Sequence, residues 1–219
     1  MTIYKSASEE QIPNATVARL PIYLRVLSGL LENGVRTCDS VRIAQGAGVR
    51  PAMIRKDLSY LGSFGTRGVG YDVELLLFHI GRVVGQTKNR KVIIVGAGNL
   101  GSALGQYAGF ESRGISVSAL VDSDPSRVGA VVGRHKVFPV SDLPKLVKRH
   151  GISIAVIATP AAQAQEVADL IVAAGITSIL DFAPQRIQVP DHVQVRRVDL
   201  AVELQILAYH EQRRTESGS

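Results

Sequence analysis

The fold of the C-terminal part of this chain is decided by the stretch Val92-Ile-Ile-Val-Gly-Ala-Gly-Asn-Leu-Gly101. The apolar run predicts a buried strand, and the glycines after it predict a tight turn that opens a helix. Their spacing fits the dinucleotide-binding fingerprint, in which glycine permits the turn, the approach of a pyrophosphate and close helix–strand packing. Free N–H groups at the start of the helix also favour phosphate. We therefore expect a nucleotide at Gly96, Ala97, Gly98, Asn99, Leu100 and Gly101.

Apolar and helical segments alternate on the C-terminal side of this turn. Strands are expected near residues 91–95, 116–121, 136–140, 153–158, 178–182 and 193–198. Helices are expected near 99–112, 142–150 and 161–174, with a last one from Asp199 to about Arg213. Such alternation predicts a parallel sheet covered on both faces, the Rossmann architecture. We assign residues 86–198 to this domain and 199–219 to a C-terminal dimerisation helix and tail.

An acidic residue is expected at the end of the second strand, where it would bind the adenosine ribose. Asp122 ends the strand Ser118-Ala-Leu-Val-Asp122, about 20 residues after the glycine turn, and Asp124 lies close by. A carboxylate there would repel a 2′-phosphate, so NAD(H) is favoured over NADP(H). The alternative is that Asp122 or Asp124 only caps the turn before Pro125.

Two further loops follow strands of the expected sheet. Thr159-Pro160 and Phe182-Ala-Pro184 would lie at its carboxyl edge, where ligands bind in such folds. We expect them to line the nicotinamide half of the pocket. Either segment could instead simply end its strand and begin a loop, without binding a ligand.

The N-terminal 85 residues have a helical pattern of their own. Leucines at three- and four-residue spacing predict a helix from Asn14 to Glu32, which Pro21 either starts or kinks. Ser40 can cap a second helix through about Gln45, and Pro51 suits the first position of a third helix through Leu61. Two helices joined by a glycine-containing turn indicate a helix-turn-helix. The glycine-rich segment 62–71 then predicts a hairpin, the wing, followed by a helix over 72–84.

Basic residues are more frequent in this N-terminal segment, which we expect to be a DNA-binding domain. Residues 1–90 carry twelve Lys/Arg against seven Asp/Glu, whereas residues 91–219 carry thirteen against twelve. Arg50, Arg55 and Lys56 lie at the third helix, where a recognition helix would enter the major groove. Arg67 lies at the expected wing tip, within reach of phosphates or a narrow minor groove. Each could instead be a solvated surface charge.

Composition excludes several other classes of protein. No apolar run reaches the roughly 18 residues of a membrane span. The N-terminus lacks the apolar core of a signal peptide, so we expect a cytoplasmic protein with no membrane partner. Cys38 is the only cysteine, which rules out an internal disulfide and a thiolate zinc site. We expect no metal, and we interpret Cys38 as a filler rather than a redox sensor.

Longer motifs resemble one family. These are Ile12-Pro-x-Ala-Thr-x-x-Arg-Leu-Pro21, Arg55-Lys-Asp-Leu-Ser-Tyr-Leu-Gly62, Phe64-Gly-Thr-Arg-Gly-Val-Gly-Tyr-Asp-Val73, Val95-Gly-Ala-Gly-Asn-Leu-Gly101, Tyr107, Asp181-Phe-Ala-Pro184 and Val198-Asp-Leu200. Together they resemble the redox-sensing transcriptional repressor Rex family, over about residues 11 to 210. The resemblance adds Ser59 and Tyr60, within the second motif, to the expected DNA-binding residues.

The resemblance implies a homodimeric winged-helix repressor that binds palindromic operators, senses the NADH/NAD+ balance and releases DNA when reduced cofactor closes the dimer. Tyr107 resembles the family's aromatic residue near the nicotinamide, Asp199 its switching carboxylate and Arg25 the partner that this carboxylate holds in the DNA-binding state. We hypothesise that Asp199 exchanges between Arg25 and Tyr107. In this family the last helix packs into the partner subunit. The apolar residues of 199–213 suit such a domain-swapped helix, although packing on its own domain is the alternative.

Three other functions compete with this interpretation. An NAD-dependent oxidoreductase would need a substrate domain, for which the chain leaves no room. It would also need a proton-relay group, and His135, His150 and His192 have no partner constellation. A CoA- or nucleotide-binding regulator could use the same glycine turn. A DNA-binding protein with a vestigial nucleotide fold would bind its operator regardless of cofactor.

Overall fold

The computed structural model describes residues 12–66, 68–86 and 88–217. The chain divides into two compact units between Lys88 and Asn89, close to the boundary expected after residue 85. Each unit has a hydrophobic core of its own.

The N-terminal unit packs four helices around one core. They are α1 (Asn14–Glu32), α2 (Ser40–Ala47), α3 (Pro51–Ser59) and α4 (Val73–Val83). Its fully buried side chains include Leu20, Tyr23, Leu27, Ile43, Ile54, Leu76 and Ile80. The helix α1 begins at Asn14 and continues through Pro21, so the expectation that Pro21 starts the helix is wrong. Pro21 and Val17 are both exposed, so the carbonyl left without an N–H donor by the proline lies on the solvent side.

The helix-turn-helix differs from the expectation in its caps. Asp39, not Ser40, caps α2, because its carboxylate accepts a hydrogen bond from the Arg42 N–H at 2.8 Å. The helix runs to Ala47 and ends at Gly48, whose φ of 66° is left-handed. The turn is therefore shorter than expected. Pro51 occupies the first turn of α3 as predicted.

The expected wing is a hairpin of β2 (Gly65–Thr66) and β3 (Gly70–Asp72). A strand that was not predicted, β1 (Thr37–Cys38), pairs antiparallel with β3 and gives the order β1-β3-β2. Two residues are too few to show a strand's alternating pattern. Asp72 then caps α4 by accepting from the Leu75 N–H at 2.8 Å.

The C-terminal unit is built on a seven-stranded sheet. Its strands are β4 (Arg90–Val95), β5 (Ile115–Asp122), β6 (Val131–Val132), β7 (His135–Pro139), β8 (Ile154–Ile157), β9 (Ser178–Asp181) and β10 (Gln194–Arg197). The order is β10-β9-β8-β4-β5-β7-β6, and every pair is parallel except β6–β7. Without the short β6, this is the doubly wound order with its topological switch beside β4. The Rossmann prediction is confirmed.

Four α-helices accompany this sheet, namely α5 (Asn99–Gly105), α6 (Leu143–His150), α7 (Ala161–Ala173) and α8 (Leu200–Ser217). The expectation of one helix over 99–112 is wrong, because α5 ends at Gly105 and a 3₁₀ helix covers Ala108–Arg113. Tyr107 therefore lies between two helical segments and not on the helix after the glycine turn. Glycine at 105 and 109 disfavours a continuous helix. None of the helices in the described residues is long and apolar enough to cross a membrane.

Candidate functional site

The glycine turn leaves β4 and packs tightly against the end of β8. Gly96 has a φ of 98°, and a Cβ there would lie 2.6 Å from the Ala158 carbonyl oxygen. A Cβ on Gly101 would overlap the Gly96 carbonyl oxygen. Gly98, the residue before α5, has no side chain to occupy the first N–H groups of that helix. The backbone of the turn is thus accessible to a pyrophosphate, as the fingerprint predicts. Since α5 has only seven residues, its dipole adds little.

Asp122 holds the turn from the end of β5. Its carboxylate accepts from the Ala97 N–H at 2.7 Å and from the Asp124 N–H at 2.8 Å, while Arg127 donates to it at 3.3 Å. A carboxylate offers about four lone-pair positions, so these three donors leave about one for a ribose hydroxyl. Asp122 thus caps the turn, and its free lone-pair position is compatible with the predicted role as a ribose ligand.

Arg127 is a residue that the sequence reasoning missed. Its guanidinium bridges Asp122 and the Asp124 carboxylate, the latter at 3.5 Å. It also lies over the turn, since a Cβ on Gly98 would be 3.3 Å from an Arg127 terminal nitrogen. Hydrogen bonds from Ser126 lower the pKa of Asp124, and Arg127 adds to the effect. An arginine five residues after the strand-end acid is the signal that could have found it.

Four of the predicted residues line one hollow. Gly96, Asp122, Thr159 and Pro160 surround a space of about 120 Å³. A second hollow of about 360 Å³ shares Asp122 with it and is walled mainly by prolines and valines, among them Pro125, Val128, Pro139 and Val140. Carboxylate beside apolar walls suits a ribose next to an adenine ring. The hydroxyl oxygen of Thr159 is buried and has no hydrogen-bond partner among the described atoms, so it is available to hydrogen-bond with a ligand.

The corner after β9, residues Asp181 to Pro184, is held by local hydrogen bonds. The Asp181 carboxylate accepts from the Ala183 N–H at 2.9 Å, and Phe182 donates its N–H to the Ile157 carbonyl at 3.0 Å. Phe182 packs against the cluster that contains Ile94 and Leu120. Burial raises the pKa of Asp181, and the nearby Arg197 charge opposes that shift.

Tyr107 and Asp199 are not brought into this hollow. Tyr107 is 53% exposed, stacks edge-on against Phe110 at 5.0 Å and borders a different space of about 310 Å³. Asp199 lies just before α8, where its carboxylate accepts from the Ala201 and Val202 N–H groups and pairs with Arg197 at 3.3 Å. In the described residues of a single chain, Asp199 is thus held by Arg197.

The exposed face of α3 carries most of the expected DNA-binding groups. Arg50, Arg55, Lys56 and Ser59 are exposed, whereas Tyr60 is half-buried. Arg55 donates to the Ser40 hydroxyl at 2.9 Å, which links α3 to the start of α2. Met53, which none of the predictions included, is also exposed on this helix. Arg67 lies outside the described residues.

The buried face of α3 is fixed by a polar network around Asp57. Its two oxygens accept from the Thr16 hydroxyl at 2.9 Å, the Tyr23 hydroxyl at 2.6 Å and the Arg19 guanidinium at 2.6 and 2.7 Å. These four hydrogen bonds fill the carboxylate, so α3 is locked to α1. Arg25, further along α1, is exposed.

Cys38 is buried in the core of the same unit. Burial raises the pKa of its thiol, and Asp39 raises it further. A thiol held in its protonated form is a poor nucleophile. This agrees with the interpretation of Cys38 as a filler.

A winged helix-turn-helix with an exposed basic helix and a Rossmann sheet with an open glycine turn define a ligand-responsive DNA-binding regulator. Known proteins agree with this class. Residues 11–59 match the family model described as putative DNA-binding protein N-terminus, and residues 87–185 match the one described as CoA binding domain.

Curated relatives cover nearly all of the chain. A redox-sensing transcriptional repressor Rex of Streptomyces avermitilis is 57% identical over 203 residues, which span 93% of this chain and 81% of the relative. The Rex of Carboxydothermus hydrogenoformans is 46% identical, over 91% of this chain and 96% of the relative. This chain belongs to the redox-sensing transcriptional repressor Rex family, as its motifs predicted.

Solved structures show the same fold. A crystal structure of RSP in complex with β-NAD+ and operator DNA matches 96% of this chain and 99% of that chain, with a TM-score of 0.87 and 33% identity. A crystal structure of RSP with β-NADH matches with a TM-score of 0.84, 32% identity and coverage of 96% and 100%. The close relatives are transcriptional repressors and not enzymes, so the oxidoreductase alternative is rejected.

Proposed function

We propose that this chain represses transcription by binding operator DNA through its winged-helix unit and releases it when NADH occupies its Rossmann unit. The observation that carries the proposal is one chain with both an exposed basic helix α3 and an open glycine turn flanked by Asp122. The RSP complexes with β-NAD+ and operator DNA and with β-NADH support the same pair of ligands for this chain.

The cofactor site of the proposal comprises the predicted residues Gly96 to Gly101, Tyr107, Asp122, Asp124, Thr159, Pro160, Phe182 and Asp199. The turn would hold the pyrophosphate, and Asp122 would use its remaining lone pair for the ribose. Asp122 and Asp124 together disfavour a 2′-phosphate, so we propose NAD(H) and not NADP(H) as the ligand. Thr159 and Phe182 would contact the nicotinamide half.

Discrimination between the two redox forms is proposed to depend on charge. The nicotinamide ring is cationic in NAD+ and neutral in NADH. Enclosing an unpaired cation in an apolar site costs several kcal/mol, so closure favours the neutral ring. Asp199 would exchange between Arg25 in the DNA-bound state and Tyr107 in the NADH-bound state. Moving such an equilibrium from 1:99 to 99:1 needs roughly 5.5 kcal/mol of differential affinity, so several contacts must act together.

The DNA-reading domain of the proposal is residues 1–85, and its contacts are Arg50, Arg55, Lys56, Ser59, Tyr60 and Arg67. The exposure of Arg50 and Lys56 at α3 supports this assignment. A palindromic operator would be bound by a homodimer. A protein that acts on operator DNA in this way would work in the cytoplasm.

The homodimer of the proposal is built by the C-terminal dimerisation helix of the segment 199–219, which also includes the tail. Every described side chain of α8 through Arg214 is exposed, including Leu200, Val202, Leu204, Ile206, Leu207 and Tyr209. An exposed apolar face of this size indicates a surface that binds another protein surface. Among the described residues, no part of the same unit packs against it. We propose that α8 packs into the partner subunit.

A mobility-shift titration on candidate promoter DNA tests the proposal. NADH should release the DNA at concentrations where NAD+ leaves it bound, with salt held fixed because phosphate contacts dominate affinity. Equal DNA binding with and without saturating NADH would overturn the proposal and favour a vestigial nucleotide fold.

A second candidate ligand is coenzyme A, since the model that matches residues 87–185 is described as a CoA binding domain. CoA also carries an adenosine and a pyrophosphate, so the glycine turn alone does not exclude it. Calorimetric titration with NADH and with CoA distinguishes the two. Tighter binding of CoA, together with release of DNA by CoA, would favour the second candidate.

A further inference from the structure

The side chain of Arg197 ties the start of α8 to the corner after β9. Its guanidinium donates to the Pro184 carbonyl oxygen and pairs with the Asp199 carboxylate at 3.3 Å. Pro184 ends the corner Asp181-Phe-Ala-Pro184, and Asp199 accepts the first N–H groups of α8. Arg197 therefore joins the corner after β9 to the start of the last helix.

The position of Arg197 is fixed by the sheet. It is the last residue of β10 and lies opposite Asp181 in the parallel register of β9 and β10. The next residue, Val198, donates its N–H to the Asp181 carbonyl at 2.8 Å, so the backbone pairing continues to the helix. The Asp181 carboxyl is fully buried, and one of its oxygens has no hydrogen-bond partner among the described atoms. The positive charge of Arg197 on the neighbouring strand counteracts the rise that burial causes in the pKa of Asp181.

The surroundings leave Arg197 room to change its partner. Asp181, Arg186 and Arg197 border a space of about 790 Å³ beside β10. The Arg197 side chain is 38% exposed and that of Asp199 is 22% exposed, so their ion pair is at the margin of solvent. Such a pair is weak enough to open at modest cost. A weak ion pair at the start of a long helix can couple a ligand site to the position of that helix.

We propose that Arg197 is a positioning residue that couples occupancy of the Phe182–Pro184 corner to the orientation of α8. This inference rests on the proposed function, in which that corner contacts the nicotinamide and Asp199 is the switching carboxylate. A shift of the corner displaces the Pro184 carbonyl. Arg197 follows it, and the Asp199 carboxylate at the helix start is pulled or released. The arginine acts through Asp199 and needs no contact with the cofactor.

The test measures a coupling factor, the operator affinity without cofactor divided by that at saturating NADH. Both affinities come from fluorescence anisotropy on labelled operator DNA at fixed salt, and NADH affinity is measured separately. Arg197→Ala should retain operator and NADH binding but lower the coupling factor at least roughly fivefold, since allosteric couplings span about 5- to 150-fold. Arg197→Lys, which keeps the charge, should restore part of it.

Arg196→Ala is the matched control, because it removes the same charge from the neighbouring position of β10. It should leave the coupling factor unchanged. An unchanged coupling factor in Arg197→Ala would overturn the inference. Parallel loss of operator and NADH affinity would also overturn it, since that pattern means a structural role alone. If the wild-type protein itself shows no coupling, the proposed function fails first.

Discussion

Arg19 on α1 and Asp57 on α3 form a bidentate ion pair. Arg19 Nε donates to Asp57 Oδ2 at 2.6 Å, and Arg19 Nη2 donates to Asp57 Oδ1 at 2.7 Å. Asp57 is 1% exposed and Arg19 24% exposed, so the pair is largely removed from water. The remaining lone pairs of Asp57 are taken by Thr16 and Tyr23. The helix that carries the proposed DNA contacts is thus held by its buried side.

Asp57→Asn should destabilise the N-terminal unit and weaken operator binding. The new amide group would point donors at the donors of Arg19 or Tyr23, and Arg19 would lose its counter-charge. Breaking a buried pair costs about 3 to 5 kcal/mol, and the quarter exposure of Arg19 favours the low end. Thermal unfolding followed by circular dichroism measures the loss. NADH affinity should stay unchanged, because the substitution lies outside the Rossmann unit. Equal loss of NADH binding would contradict this expectation.

The same network predicts a pH dependence of stability. Burial opposes ionisation of Asp57, but hydrogen bonds from Arg19, Tyr23 and Thr16 outweigh it and lower its pKa. The stabilisation is therefore fully present above the unfolded pKa of about 3.9 and is lost as pH falls through the folded value. The stability difference between wild type and Asp57→Asn should be constant near neutrality and shrink below about pH 4. Denaturant unfolding at a series of pH values measures it, and a difference that grows on acidification would refute the assignment.

Burial likewise raises the pKa of Tyr23, with a further contribution from Asp57. Its hydroxyl therefore stays protonated in the folded unit, and its contribution is present below the unfolded pKa of about 10. That contribution should disappear as pH rises through the folded value. Tyr23→Phe should accordingly flatten the alkaline limb of the stability profile relative to wild type. Identical alkaline limbs would show that Tyr23 does not titrate with unfolding.

Gly98→Ala should block the cofactor without unfolding the sheet. Gly98 has a φ of −68°, which alanine accepts, and a Cβ would meet only the Arg127 guanidinium at 3.3 Å. The added methyl would stand where the pyrophosphate approaches, so NADH affinity should fall at least roughly tenfold, about 1.4 kcal/mol. Operator binding should persist, and its release should require correspondingly higher NADH concentrations than in the wild type. Gly29→Ala is the control, since a Cβ there meets nothing within 4 Å. If the Gly98→Ala protein bound NADH with normal affinity, the cofactor would not bind against the glycine turn.

Asp124→Ser should shift preference toward the phosphorylated cofactor. Asp124 and Asp122 share the Arg127 guanidinium, and Asp124 is the more exposed of the two. Removing the Asp124 charge leaves Arg127 available to a 2′-phosphate, the role that an arginine has at this position in NADP-binding folds. The ratio of NADPH to NADH affinity should rise, measured by fluorescence titration. Asp169→Asn removes an acid elsewhere in the unit, next to Gln165, and should leave the ratio unchanged. An unchanged ratio in Asp124→Ser would exclude Arg127 from the ribose site.

The parallel sheet and the glycine turn were predicted correctly, because both leave local patterns in the sequence. Apolar runs between turn residues mark β4, β5 and β8, and the fingerprint marks the turn that follows β4. The end of α5 was predicted wrongly, because a helix limit depends on packing that periodicity does not contain. A Cβ on Gly109 would lie 2.6 Å from the Tyr107 ring, so the observed 3₁₀ segment requires glycine at this position.

The partners of single side chains were harder to predict than the elements. Asp122 was expected as a ribose ligand, yet its bond to the Ala97 N–H joins residues 25 positions apart and cannot be read from spacing. Arg127 lies only five residues after Asp122, so its spacing could have indicated the ion pair, but an arginine in a loop is not part of the fingerprint. Asp199 was expected to bond Arg25 or Tyr107, but the described chain gives it Arg197. The exchange of Asp199 between Arg25 and Tyr107 therefore stays a prediction.

Leu204→Glu should convert the proposed dimer into a monomer and abolish tight operator binding. Leu204 is 66% exposed in the single chain, so on a monomer the substitution would change stability by less than about 0.5 kcal/mol. If α8 inserts into a partner subunit, the same substitution buries an unpaired carboxylate, and association becomes strongly unfavourable. Sedimentation velocity at micromolar concentration measures the mass directly. Gln205→Glu adds the same charge at the adjacent position, outside the apolar lines of Leu200-Leu204-Leu207 and Val202-Ile206-Tyr209, and should remain dimeric. A Leu204→Glu protein that sediments as a dimer would place the subunit contact elsewhere than on α8.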